Sequence, residues 1–129
     1  MKVSDLMVGD LVYIHEPECK GHRIDAIDEL DGQVGADGEV YDECDIRPIP
    51  LTEDILVKNG FSEIHHPGTG ATDEYSEWFL GGIKITEWLE DWKDHHFSTG
   101  GDDCSISFNY VHQLQHLLRL VGVQKEIEL

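Results

Sequence analysis

Positive charge is what this sequence has least of. Nine Lys and Arg stand against 27 Asp and Glu in 129 residues, a formal net charge of −18 at pH 7. Binding to a phosphate backbone needs clustered cations, and here the basic residues are scattered from Lys2 to Lys125. Direct nucleic-acid binding is therefore excluded, and attraction to an anionic membrane surface fails for the same reason. Long apolar runs are missing too, since no stretch approaches the ~20 residues of a membrane-spanning helix. Asp5 and Asp10 interrupt the opening MKVSDLMVGDLVYI where a signal peptide would carry its apolar segment. Cysteine is scarce and odd in number, at Cys19, Cys44 and Cys104, with no C-x-x-C pair. A secreted chain of this size more often carries an even disulfide set. A cytoplasmic protein with reduced thiols is the expectation.

What remains is an ordinary globular composition, 40% apolar with 13 glycines, enough for one domain or two very small ones. Residues 1–49 read as short strands between turns. Leu11 to Ile14 is a run of strand formers after Gly9-Asp10, and Asp31-Gly32 and Asp37-Gly38 are hairpin signals on either side of Gln33 to Ala36. His22 to Ile27, Val40-Tyr41 and Ile46 supply the other pieces. Five short strands in so few residues predict a small SH3-like barrel, which closes its sheet and limits exposed edges.

Residues 50–129 predict an α+β region. Pro48 and Pro50 make a rigid extended junction, Thr52 caps a helix over 52–59, and Leu51 and Leu56 stand at hydrophobic-staple spacing. Glu53 and Asp54 occupy the first turn, where the helix dipole favours them, and Gly60 is the stop. Antiparallel strands follow over 61–108, with Gly81-Gly82 as a hairpin turn and HPGTGATDE as a loop. A final helix over 110–121 repeats Val111, Leu114, Leu118 and Val121 at three and four residues, a stripe expected to pack on the preceding sheet. The tail alternates in parity from Val123 to Leu129 and reads as an edge strand or a frayed end.

Three segments, SDLMVGDLVYI, IRPIPLTEDILVKNGF and YVHQLQHLLRLVG, resemble a widespread family of small uncharacterised proteins encoded by gut anaerobic bacteria, their prophages and other mobile elements. The resemblance covers residues 1–14, 44–62 and 110–122, while roughly 63–104 departs from it in length and composition. It implies a barrel followed by an α/β arrangement. It implies no activity and no set of site residues.

Catalytic motifs are absent. No G-x-S-x-G elbow, no G-K-[ST] phosphate loop and no H-E-x-x-H helix occurs. Asp25, Asp28 and Asp31 recur every third residue, where a calcium loop needs every second. Cys19-x-x-His22 is only half a metal motif, and nothing places a base beside either Cys19 or Cys104. Eight histidines are more noticeable, with adjacent pairs at His65-His66 and His95-His96. Neighbours on a strand face opposite ways, so each pair offers one ligand to a given site. Were the two strands to pair, one histidine from each could bind zinc or a similar metal with Asp73 or Asp94. His112 and His116, four apart on the final helix, read as scaffold contacts.

Two asymmetries point to protein binding. Between Asp25 and Asp54 there are eleven carboxylates and a single cation, Arg47. Aromatic residues concentrate between Tyr75 and Phe97, including Trp78, Trp88 and Trp92. The expectation is a non-enzymatic interaction module with no cofactor, binding a protein partner, basic in character. Asp25, Asp28, Glu29, Asp31, Glu39, Asp42 and Glu43 would supply the acidic face, and the three tryptophans an aromatic one. A histidine-lined pocket for a small molecule, metal or hydrolytic reaction at His65, His66, His95 and His96 is the alternative. A DNA mimic that occupies a nucleic-acid-binding protein is a further one.

Overall fold

A computed structural model describes residues 1–14, 20–69, 74–88, 96–99 and 106–129. The fold is α+β with antiparallel sheets, and the chain divides into two compact units. One comprises residues 1–50 and 110–126, the other residues 51–109 and 127–129.

In the first unit, a 3-10 turn at Val3–Asp5 turns Val3 and Leu6 inward ahead of β1 (Leu11–Ile14). Strand β1 pairs with β2 (His22–Arg23) on one side and β6 (Ile46–Pro48) on the other, with Ile14 opposite Ile46. A second ladder joins β3 (Ala26–Asp28), β4 (Gln33–Ala36) and β5 (Glu39–Asp42). Asp37 and Gly38 connect Ala36 to Glu39 with φ of 54° and 80°. Positive φ at both central residues gives the turn a twist matching that of the strands, and Asp-Gly is among the pairs that tolerate it.

The chain changes ladders between Ile24 and Asp25. The Ile24 amide donates to Asp10 O at 2.9 Å, and the next amide, of Asp25, donates to Gly35 O at 2.8 Å. The result is two three-stranded ladders, β2-β1-β6 and β3-β4-β5, and no ladder among the described residues closes them into one barrel. Val12, Ile14, Ile24, Val34, Ala36 and Ile46 fill the core with Val3 and Leu6.

Helix α2 (Val111–Leu120) belongs to this unit, although the pattern of the sequence groups it with residues 50–129. Val111 donates to Ile49 O at 2.9 Å, and Gln115 Oε1 accepts from the Leu11 amide at 2.9 Å, which ties the helix to β1. Tyr110 is the N-cap, and the Gln113 side chain reaches back to the Tyr110 amide at 3.2 Å.

The second unit opens with α1 (Glu53–Lys58), whose Thr52 cap accepts from the Ile55 amide at 3.3 Å. Leu51 and Leu56 are both buried, as a staple requires. Five strands make one sheet in the order β11-β10-β9-β8-β7: β7 (Ser62–His66), β8 (Tyr75–Leu80), β9 (Ile83–Trp88), β10 (His96–Thr99) and β11 (Ile106–Phe108). Ser76, Trp78, Ile83, Ile85, Glu87, Phe97 and Phe108 lie on its buried face. Residues 127–129 form neither strand nor free end. Asn59 Nδ2 donates to Glu128 O and Asn59 Oδ1 accepts from the Glu128 amide, both at 2.7 Å, and Ile127 is buried. Among the described residues no helix is long and apolar enough to cross a membrane.

Candidate interaction surface

The cross-strand register sorts the acidic residues of the first unit onto different surfaces. Asp28 lies opposite Gln33, and Gln33 opposite Asp42; Ala26, Gly35 and Val40 form the next row on the same outer face. Gln33 Nε2 donates to Asp42 Oδ1 at 3.1 Å, which fixes that carboxylate on the sheet. Asp28 Oδ1 accepts from the amides of Leu30 and Asp31 at 3.1 and 3.2 Å. This side-chain turn holds Glu29, Leu30 and Asp31 out at the tip, where Leu30 is 98% exposed; Val40 is 68% exposed.

Asp25, just ahead of β3, joins this outer face: its Oδ1 lies 2.8 Å from where a Cβ on Gly35 would stand. The remaining acidic candidates are elsewhere. Glu39 is exposed on the opposite parity and accepts from the Tyr41 hydroxyl at 2.8 Å. Glu43 turns inward, with Oε2 accepting from the Val3 amide at 3.2 Å, so it is a brace for the N-terminal turn and not part of a docking face. Asp37 pairs with His22 at 2.5 Å.

The aromatic candidates separate in the same way. Trp78 is 2% exposed and donates its Nε1 to Glu87 Oε1 at 3.0 Å, which removes it from any contact surface. A strand of alternating parity must bury one of Trp78 and Phe79, and the buried one is the tryptophan because its parity is shared with Ile83 and Ile85. Trp88 is half-buried beside Tyr75, with ring centroids 5.5 Å apart, and Tyr75 stacks on His66 at 4.4 Å. Trp92 lies outside the described residues.

His65 and His66 do point to opposite faces. His65 contacts Ser76 Oγ at 3.0 Å and Glu74 at 3.1 Å, while His66 meets Glu77 at 2.7 Å. The strand of His96 does not pair with theirs. Strands β8 and β9 intervene, so the row runs His66, Tyr75, Trp88, His96, and the two backbones are roughly 14 Å apart at the usual strand spacing. His95 lies outside the described residues. Among the described residues, the groups whose ligand atoms could share one ion are Asp42, Cys44 and Asp45, and Glu53, Glu63 and Glu87; neither contains a histidine.

Buried polar groups that no motif signals complete the picture. Asp10, fully buried, accepts from the Met7 amide at 2.8 Å and contacts His116 at 2.7 Å and Arg119 at 3.4 Å. His112 is buried between Tyr110 and His116, and its Nδ1 has no hydrogen-bond partner among the described residues. Burial pulls its imidazole below the usual histidine range, against the opposing pull of Asp10. Glu87 is fully buried, and burial pushes its carboxyl from 4.5 up to about 7. The Trp78 N–H opposes that rise, while Glu53 and Glu63 add to it. One signal for Glu87 was present: in IKITEW it occupies the parity of Ile83 and Ile85, an acid where the alternation asks for an apolar residue. It fronts a groove of about 360 Å³ lined by Leu51 to Asp54. Comparison with family models, with curated proteins and with solved structures returned no match.

Proposed function

We propose that this chain is a non-catalytic, cytoplasmic interaction module that docks a basic protein on the outer face of the β3-β4-β5 ladder. The observation that carries this reading is the composition of that face. Exposed Leu30 and Val40 are bordered by Asp28, Glu29, Asp31 and Asp42. Large side chains held out at a turn tip or on an open strand supply apolar contact area. The surrounding carboxylates steer a cationic partner and set its orientation. Residues 25–45 contain nine carboxylates and no Lys or Arg, so no internal cation from that stretch competes for the face. We read the two ladders as halves of an SH3-like barrel. The resemblance of the 44–62 junction and the α2 segment to mobile-element proteins suits a module of this size.

Capture on the immobilised protein at ~0.05 and ~0.5 M salt, followed by titration of each purified captured protein, tests the reading. Leu30→Ser and the triple variant Asp28→Asn, Asp31→Asn, Asp42→Asn are compared with the wild type. Asparagine keeps the Oδ1 that holds the Leu30 turn. A partner rich in Lys and Arg is expected, bound about tenfold more weakly by Leu30→Ser. The triple variant should associate more slowly at low salt. Equal binding by all three proteins would sink the docking face, and displacement of the partner by duplex DNA would favour the DNA-mimic reading.

A further inference from the structure

A groove at the C-terminal end of α2 gathers cations in a chain that has few of them. It measures about 540 Å³, and its lining includes Arg23, Arg119 and Lys125 against one carboxylate, Glu126. Two of these cations are anchored by a single turn. Arg23 Nη1 donates to Gly9 O at 2.8 Å, and Arg119 Nη2 donates to the preceding carbonyl, Val8 O, at 3.1 Å. Gly9 makes this approach possible: its φ is 97°, and a Cβ there would lie 2.7 Å from Arg119 Nη2. Gln115 also donates to Gly9 O, at 3.0 Å, which stiffens the turn.

Two guanidinium groups held on adjacent carbonyls repel one another unless an anion answers them. Asp10 answers only Arg119, through Oδ1 at 3.4 Å, while its other oxygen meets the Met7 amide and His116. Arg23 and Lys125 have no carboxylate partner among the described residues, in a chain where carboxylates outnumber Lys and Arg three to one. Each guanidinium has five N–H donors in a planar fork suited to carboxylate or phosphate oxygens. Most of those donors remain available here. Leu118, almost fully buried, and half-buried Val123 give the groove an apolar side.

We propose that this groove binds a small organic oxyanion, a phosphate monoester or a carboxylate carrying a compact apolar body. The oxyanion sits among Arg23, Arg119 and Lys125, and the body lies against Val123, with Leu118 packed beneath. The volume falls within the roughly 300–1,000 Å³ of small-molecule sites and leaves room for more than a bare phosphate. The remote carboxylates of the chain oppose the anion weakly, since charges beyond a Debye length of about 8 Å are screened at physiological salt. The groove is separate from the acidic docking face and does not depend on it.

Amide NMR titrations at constant ionic strength test this with phenyl phosphate, benzoate and the neutral benzyl alcohol. At least one anion should move the amides of Gly9, Arg23 and residues 119–125 saturably, at least about tenfold more tightly than benzyl alcohol. Preference for phenyl phosphate assigns the site to phosphate esters, and preference for benzoate to carboxylates. Arg23→Gln and Lys125→Gln should each weaken binding about fivefold, and Lys20→Gln should leave it unchanged. Circular dichroism confirms that each variant is folded; Arg119 is left intact because it also braces Val8 and Asp10. Absence of saturable shifts up to ~10 mM of both anions, equal binding of benzyl alcohol, or wild-type affinity in the Arg23→Gln/Lys125→Gln double variant overturns the proposal.

Discussion

Replacing Glu87 by glutamine should stabilise the protein at pH 8 and leave it nearly unchanged at pH 4. Glu87 is fully buried, and its carboxyl titrates near 7 in the folded chain against 4.5 for the free side chain. Below pH 4 the group is protonated in both states and folding carries no penalty from it. As the pH rises from 4.5 to 7 the unfolded chain releases the proton while the folded chain keeps it, so stability falls. At about 1.4 kcal/mol per pH unit, the interval from 4.5 to about 7 amounts to about 3 kcal/mol, lost in full above pH 7. Glutamine has no charge to bury. Its Oε1 can accept from Trp78 Nε1, which lies 3.0 Å from the present oxygen, and its amide can donate to the Glu53 carboxylate. The stability difference between variant and wild type should therefore grow from near zero at pH 4 to about 3 kcal/mol at pH 8. Urea unfolding followed by tryptophan fluorescence across that range measures it. A gain independent of pH, or a loss at pH 8, would refute the reasoning, because either would mean that Glu87 is not held against ionisation.

Two further substitutions test contacts inside each unit. Asp10→Ala removes the carboxylate shared by the Met7 amide, His116 and Arg119. It should cost about 3 kcal/mol in urea unfolding, because the buried partners lose their acceptor. A cost below ~1 kcal/mol would class these contacts with ordinary surface pairs. Asn59→Ala removes the two bonds to Glu128 and one to Ile55 O at 2.7 Å. A loss of about 2 kcal/mol is expected, with faster hydrogen exchange at the Glu128 amide. An unchanged exchange rate at Glu128 would show that something other than Asn59 holds the tail.

What the sequence determined by itself is local. Asp37-Gly38 marks a two-residue hairpin because few residue pairs accept positive φ at both positions, and the structure has φ of 54° and 80° there. Thr52, Leu51 and Leu56 mark the start of α1 because the cap and the staple are satisfied within six residues. Strands on either side of Gly81-Gly82 were legible as well, whereas the acid on the apolar parity of IKITEW, Glu87, was a signal that a search for catalytic motifs passes over. Tertiary structure decided the rest. The apolar stripe of α2 would fit any apolar face, since burial has no direction. Its place beside β1 goes with Gln115 meeting the Leu11 amide and His116 meeting Asp10, pairs separated by more than a hundred residues. The two histidine strands looked able to pair until strand order put β8 and β9 between them. Trp78 looked available for contact until its row put it in the core. The acidic run, continuous in sequence, was divided by the pleat, which sends alternate residues to opposite faces; Asp25, Asp28, Asp42 and the Glu29–Asp31 tip share the surface of Leu30 and Val40, while Glu39 and Glu43 leave it. Caps and turns are written into neighbouring residues because their hydrogen bonds and torsions are local. Which faces meet depends on non-directional burial and on polar partners far apart in the chain, and these exist only once the strands have found their register.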